Sequence, residues 1–205
     1  MTVKPTTTEL GDLELRFARN PQDVKLLREL SERYYEQGLF NQRALSVYEK
    51  ARMASPHDPR FLQAVNLSCF LKQLRRFTIE SADPELLDQE GVKDAIVLIQ
   101  NYLKEIPNSP DLFFALGDLH LVRGNILLAL GAYGNALKFG FHDIRSILRS
   151  YEFASRMHTF QPSERAWFAN LYRTVGMNQR AMEIYRSVVA DGFHDPETIQ
   201  ILIRL

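Results

Sequence analysis

Residues 110–141 read PDLFFALGDLHLVRGNILLALGAYGNALKFGF. Phe113, Leu116, Leu119 and the run from His120 to Val122 follow helical spacing until Gly124-Asn125 interrupts them. Beyond the interruption, Leu128, Ala129, Ala132, Tyr133, Ala136 and Leu137 fall on one stripe of a second helix. Two such helices joined by a tight turn form a helical hairpin. Gly117 on the first helix, and Ala129 and Ala136 on the second, are small residues where the pair would cross most closely. Gly131 and Gly134 in LGAYGNA read in the same way, as small residues that let a neighbouring helix approach.

The hairpin ends in the tetrapeptide Gly140–Asp143, GFHD, and the same four residues return at Gly192–Asp195, an offset of 52. Tyr133 and Tyr185 each lie seven residues before their glycine, and Ser146-Ile147 and Thr198-Ile199 follow at equal distances. Self-similarity at such a period marks an array of small supersecondary units. The tetrapeptide reads as punctuation. Gly suits the left-handed position past a helix C-terminus, Phe141 and Phe193 can fold back onto the helix just ended, and Asp143 and Asp195 can cap the next.

Phe113, Leu116-Gly117, Gly124, Ala129, Tyr133 and Ala136 stand at the spacing of a tetratricopeptide (TPR) repeat, which the segment resembles. His120 replaces the usual Tyr, and Phe141 the closing Pro. Val24–Asp58 carries Leu27, Leu30-Ser31, Tyr34, Gly38, Ala44, Tyr48, Ala51 and Pro56, with an inter-helix turn one residue longer. Pro162–His194 carries Phe168-Ala169, Tyr172, Gly176, Ala181, Tyr185 and Val188. A further unit is split: Pro59–Phe77 supplies one helix, Ala95, Ile99, Tyr102 and Pro107 mark the other, and an acidic insertion over 78–90 separates them.

The expected organisation is an N-terminal extension over 1–20 and a repeat domain over 21–205. Within it lie units at 24–58, 59–109 and 110–142, an extra helix at 143–160, a unit at 162–194 and a C-terminal helix at 195–205. The resemblance implies an all-α solenoid, a right-handed superhelix of about ten helices. The extra helix breaks the alternation, either as part of a three-helix unit or at a kink near Gln161-Pro162. The insertion, with Glu80, Asp83, Glu85, Asp88 and Glu90 and no basic residue, reads as a solvated loop rather than a docking element, and its part around Ser81–Glu90 as dispensable to the fold.

Lys+Arg and Asp+Glu are 25 each, so formal net charge is zero, which counts against nucleic-acid binding because phosphate neutralisation needs a basic excess. One cysteine, Cys69, excludes an internal disulfide framework and reads as a packed thiol. The N-terminus MTVKPTTTEL has no apolar signal core, no run is long enough to span a membrane, and a cytoplasmic location is expected. No GxSxG elbow, Walker-type GxxxxGK[ST], dinucleotide-type GxGxxG or HExxH is present. The five histidines, at 57, 120, 142, 158 and 194, show no convergent spacing, so no metal, cofactor or catalytic site is expected.

Recognition is the surviving class. In proteins of the TPR type the concave surface, lined mostly by the first helix of each hairpin, grips a peptide or partner helix. Carrying those positions over gives Lys25, Arg28, Glu32 and Tyr35, then Gln63, Leu67 and Phe70, then Phe114, Asp118 and Leu121, and finally Trp167, Asn170 and Arg173. Leu67, Phe70, Phe114 and Leu121 read either as an exposed apolar patch or as helix–helix packing. Glu32 and Asp118 occupy places where a clamp for a terminal carboxylate would need donors, so that ligand is not expected. Ala181–Glu197 also resembles a pentatricopeptide RNA-binding repeat, and a structural subunit of a larger assembly is a third reading. The ending DPETIQILIRL wraps Ile and Leu around more than one face. It reads as an open end, truncated or used for self-association, or else as a helix tucked against Asn178–Ala190.

Overall fold

The computed structural model describes residues 7–80 and 89–204. Among them every regular element is helical: α1 (Thr7–Arg19), α2 (Val24–Glu36), α3 (Gln42–Ala54), α4 (Pro59–Arg75), α5 (Gln89–Glu105), α6 (Pro110–Val122), α7 (Ile126–Lys138), α8 (Ile144–Ala154), α9 (Pro162–Thr174), α10 (Asn178–Ala190) and α11 (Pro196–Arg204). The all-α array of hairpins expected from the pattern is therefore what forms.

Local chemistry sets the boundaries. Asp23, Asn41 and Asp58 each accept backbone N–H bonds from the first turn of α2, α3 and α4. Ser109 caps α6 through the Leu112 N–H, and Pro110 fills the first turn, where a missing N–H costs nothing. Glu164 reaches back to the Gln161 N–H at 2.7 Å to open α9. The two GFHD copies do one job. Gly140 and Gly192 take φ of 99° and 85°. Asp143 then accepts the Ser146 N–H at 3.1 Å, and Asp195 the Thr198 N–H at 3.0 Å.

Helix crossings bear out the small residues within limits. A Cβ on Gly117 would stand 2.5 Å from the Tyr133 ring, so α6 and α7 meet where only glycine fits. Ser31, Ser68, Gly117 and Ala169 hold the equivalent crossing position in α2, α4, α6 and α9, and all four are buried. Gly131 and Gly134 differ from the expectation: nothing lies within 4 Å of a Cβ built on either, so they face open space.

Three boundaries also differ. Within the stretch expected as an N-terminal extension, α1 packs on α2 with Leu13 and Phe17 in the first core. Its Glu14 accepts the Tyr34 hydroxyl at 2.6 Å. The insertion starts later than expected: α4 runs into a π-helical turn over Arg76–Glu80, in which Thr78 and Ile79 are buried. Ile79 packs with Val122 and Phe153. The second helix of this unit starts early, at Gln89, and residues 81–88 of the acidic stretch lie outside the described residues.

The extra helix, α8, packs against α6 and α9. Its Glu152 accepts the Tyr172 hydroxyl at 2.6 Å, twenty residues along the chain, as Glu14 does for Tyr34. So α8 leads α9 as α1 leads α2. At the other end α11 packs on α10, with Thr198 buried, Ile201 and Leu202 partly buried and Ile199 37% exposed. This puts Ile201 and Leu202 in the tucked arrangement; the side chains of residues 203–205 lie outside the described set.

Candidate functional site

One large cleft, of about 1050 Å³, opens among the described residues. Its walls come from α1, the turn between α2 and α3, α4, the start of α6 and the first GFHD loop. Helical spacing builds two of them. α6 presents Asp111, Phe114, Ala115 and Asp118, and α4 presents Ser68, Leu71, Lys72 and Arg75. Leu10, Leu39, Phe40, Leu74 and Phe141 add apolar surface.

The floor is held by a long-range clamp. The α2–α3 turn carries one residue more between Gly38 and Ala44 than the turns at Gly124–Ala129 and Gly176–Ala181. That longer turn reaches the start of α6. Ser109 Oγ donates to the Gly38 carbonyl at 2.5 Å, and a Cβ on Gly38, at φ 67°, would lie 2.5 Å from Ser109. Next to it the Phe40 N–H donates to Asp111 at 2.7 Å, and Asn41 Nδ2 lies 3.5 Å from the same oxygen. Burial pushes the Asp111 carboxyl up to about 6, and these hydrogen bonds offset only part of that effect.

At the other end of the α6 stripe, Asp118 accepts the Tyr133 hydroxyl at 2.7 Å and is paired with Arg75 at 3.1 Å. Burial raises its pKa, Arg75 opposing. The Arg75 guanidinium lies 4.7 Å from the Phe114 ring centroid, and Phe141 stacks on that same ring at 4.3 Å. The first GFHD thus caps a helix and also furnishes the aromatic wall of the cleft. The Ser68 hydroxyl, on the α4 wall, is buried and has no hydrogen-bond partner among the described residues.

Of the thirteen residues expected to line a groove, Phe114 and Asp118 line this cleft. Leu67 and Leu121 are fully buried, and Phe114 is 9% exposed, so helix packing accounts for these three. Phe70 is partly buried against the first core. The register of α4 explains Leu67: Leu67-Ser68 fills the place of Leu116-Gly117, and Leu67 therefore points inward. Asp118 and Asn170 have a job that spacing alone did not show. Each accepts the hydroxyl of the tyrosine fifteen residues later, Tyr133 at 2.7 Å and Tyr185 at 2.6 Å. Trp167 stacks on Tyr133 and meets Phe168 edge-on, while Arg173 is exposed.

Lys25 and Arg28 are exposed, and Glu32 and Tyr35 half-buried, on a separate polar seam between α2 and α4. There Arg60 reaches Glu32 at 3.3 Å, and the Tyr35 hydroxyl donates to Gln63 at 3.1 Å. Burial, followed by Arg123, lowers the pKa of His120. No cluster of three His, Cys, Asp or Glu side chains suited to a metal ion occurs among the described residues. None of the described helices is long and apolar enough to cross a membrane.

No protein-family model matches the chain. No curated protein matches it either. Among solved structures it is similar to a thermophilic TPR protein of Thermus thermophilus, with 17% identity and a TM-score of 0.31 over 95% of this chain and 86% of the other. The hairpins, the small residues at their crossings and the tyrosines of their second helices are the chain's own: its fold is an all-α array of TPR-like helical hairpins.

Proposed function

We propose that the chain is a protein-interaction module that takes a segment of a partner protein into the cleft bounded by α1, α4 and α6. The observation that carries this is the cleft itself, roomy and walled by aromatic and aliphatic side chains with charged groups set among them. The seam around Glu32, Tyr35 and Gln63 is closed by its own hydrogen bonds and ion pairs, and so offers less to a ligand. Gly11 gives a direct test, because it lines the cleft and nothing lies within 4 Å of a Cβ built there. Gly11→Trp should fill the cleft and leave the fold intact. Panning a library of random displayed peptides should select binders for the parent chain and none for Gly11→Trp. Equal selection by both proteins would end this reading. In parallel, filter binding of single-stranded RNA at moderate salt, lost in Gly11→Trp, would favour the RNA-binding alternative. Self-association through α11 is a separate proposal resting on exposed Ile199; a parent that stays monomeric across a light-scattering concentration series would dismiss it.

A further inference from the structure

Asp111 and Asp118 stand at the two ends of one stripe of α6, with Phe114 and Ala115 between them, and all four line the cleft. Both carboxylates are buried, at 8% and 3% exposure. Their partners differ. Asp118 has a cation, Arg75, at 3.1 Å, and that guanidinium also covers the Phe114 ring. Asp111 has a backbone N–H and a side-chain amide, both neutral. Among the described residues no ion pair includes Asp111. Arg43, across the cleft, is paired with Glu14 at 2.9 Å. A desolvated carboxylate without a counter-charge is costly, and neutral donors compensate it only in part.

We propose that the partner segment bound in the cleft carries a Lys or Arg side chain whose charge sits against Asp111. This rests on the reading of the cleft as a protein-binding site and adds the chemistry of the ligand. The incoming cation would do at one end of the stripe what Arg75 does at the other. The rings of Phe40, Phe114 and Phe141 line the same cleft and suit both the cation and the methylene stem that carries it. An acidic side chain in that place would meet Asp111 and be repelled. The charge pattern therefore selects the partner by sign as well as by fit.

The test uses three synthetic pools of short random peptides that differ only at a fixed central residue: Lys, Gln or Glu. Binding to the intact chain is read by fluorescence anisotropy. The Lys pool should bind at least about tenfold more tightly than the Gln pool, and the Glu pool most weakly, since a tenfold ratio is the scale of one desolvated charge contact. In Asp111→Asn the Lys and Gln pools should converge, and Gly11→Trp should bind none. If the parent binds all three pools alike and Gly11→Trp loses them, the cation assignment fails while the cleft stands. A Lys preference that persists in Asp111→Asn would likewise overturn it. If Gly11→Trp binds as the parent does, both readings fall. The comparison of pools on the parent needs no variant, so a folding defect could not conceal the answer.

Discussion

Asp111→Asn should make the protein more stable at neutral pH, and the gain should vanish in acid. In the folded chain burial raises the Asp111 carboxyl from 3.8 to about 6. Each factor of ten in a proton equilibrium is about 1.4 kcal/mol, so ionising this group costs the folded state ~3 kcal/mol relative to the unfolded chain. The sign follows. Below the unfolded value the group is neutral in both states and its contribution to stability is fully present. As pH rises through about 6 the folded chain must hold a buried charge, and that contribution is lost. Asparagine keeps an oxygen for the Phe40 N–H but never ionises. Its added NH2 needs a partner, which takes back roughly 1 kcal/mol. The variant should therefore gain about 1–3 kcal/mol near pH 7.5, and little or nothing near pH 4. Urea denaturation followed by far-ultraviolet circular dichroism at several pH values reads this directly. The difference between variant and parent matters, because other titrating groups cancel in it. A difference that does not change with pH, or a variant destabilised throughout, would refute the reasoning and show that the Phe40 hydrogen bond depends on the charge.

Other perturbations separate the packing roles. Gly117→Ala forces a methyl onto the Tyr133 ring, which is pinned by Asp118, and should cost about 1–3 kcal/mol, whereas Gly131→Ala, in open space, should gain up to ~1 kcal/mol; matching signs for the two in chemical denaturation would contradict the crossing. Phe17→Ala should cost about 3–5 kcal/mol, because α1 is part of the core; an unchanged denaturation midpoint would return residues 7–19 to the status of an appendage. Ile79→Ala should cost about 2–5 kcal/mol, since the π-helical turn is packed on Val122 and Phe153. A loss under ~0.5 kcal/mol, the scale of a surface change, would mean that the turn behaves as loop.

Local rules were legible in the sequence. Caps, the glycine and aspartate of GFHD and the Ala and Tyr positions of the hairpins each depend on residues a few places apart and formed as the spacing implied, while the Phe141 ring stacks on Phe114 of α6. α1 carries its own signal, since Leu10, Leu13 and Phe17 recur at helical spacing in a polar stretch. The register of α4 was harder, because Ser68 stands where Gly117 makes the pattern conspicuous in α6. The candidate site lay further out of reach. Its floor joins Gly38 to Ser109 and Phe40 to Asp111, pairs seventy-one residues apart that no periodicity links. By spacing alone the outward positions of the first helices read as ligand-facing. In Asp118 and Asn170 those same polar groups are consumed by a tyrosine of the neighbouring helix.

The burial of α6 has a consequence for how the array comes apart. Of its thirteen residues only Phe113 escapes full burial. Leu112, Ala115, Leu116 and Leu119 belong to the core shared with α1–α5, whereas Phe114 and Leu121 belong to the core shared with α7–α11. In an ordinary repeat array each unit touches only its neighbours, so ends fray independently and stability is a sum of local terms. Here α6 is a wall of both cores, and neither half can lose its packing without stripping one side of it. Hydrogen exchange should find the α6 amides the slowest in the chain, opening only with global unfolding. A partner seated against Asp111 and Phe114 would then brace both halves of the molecule through one helix.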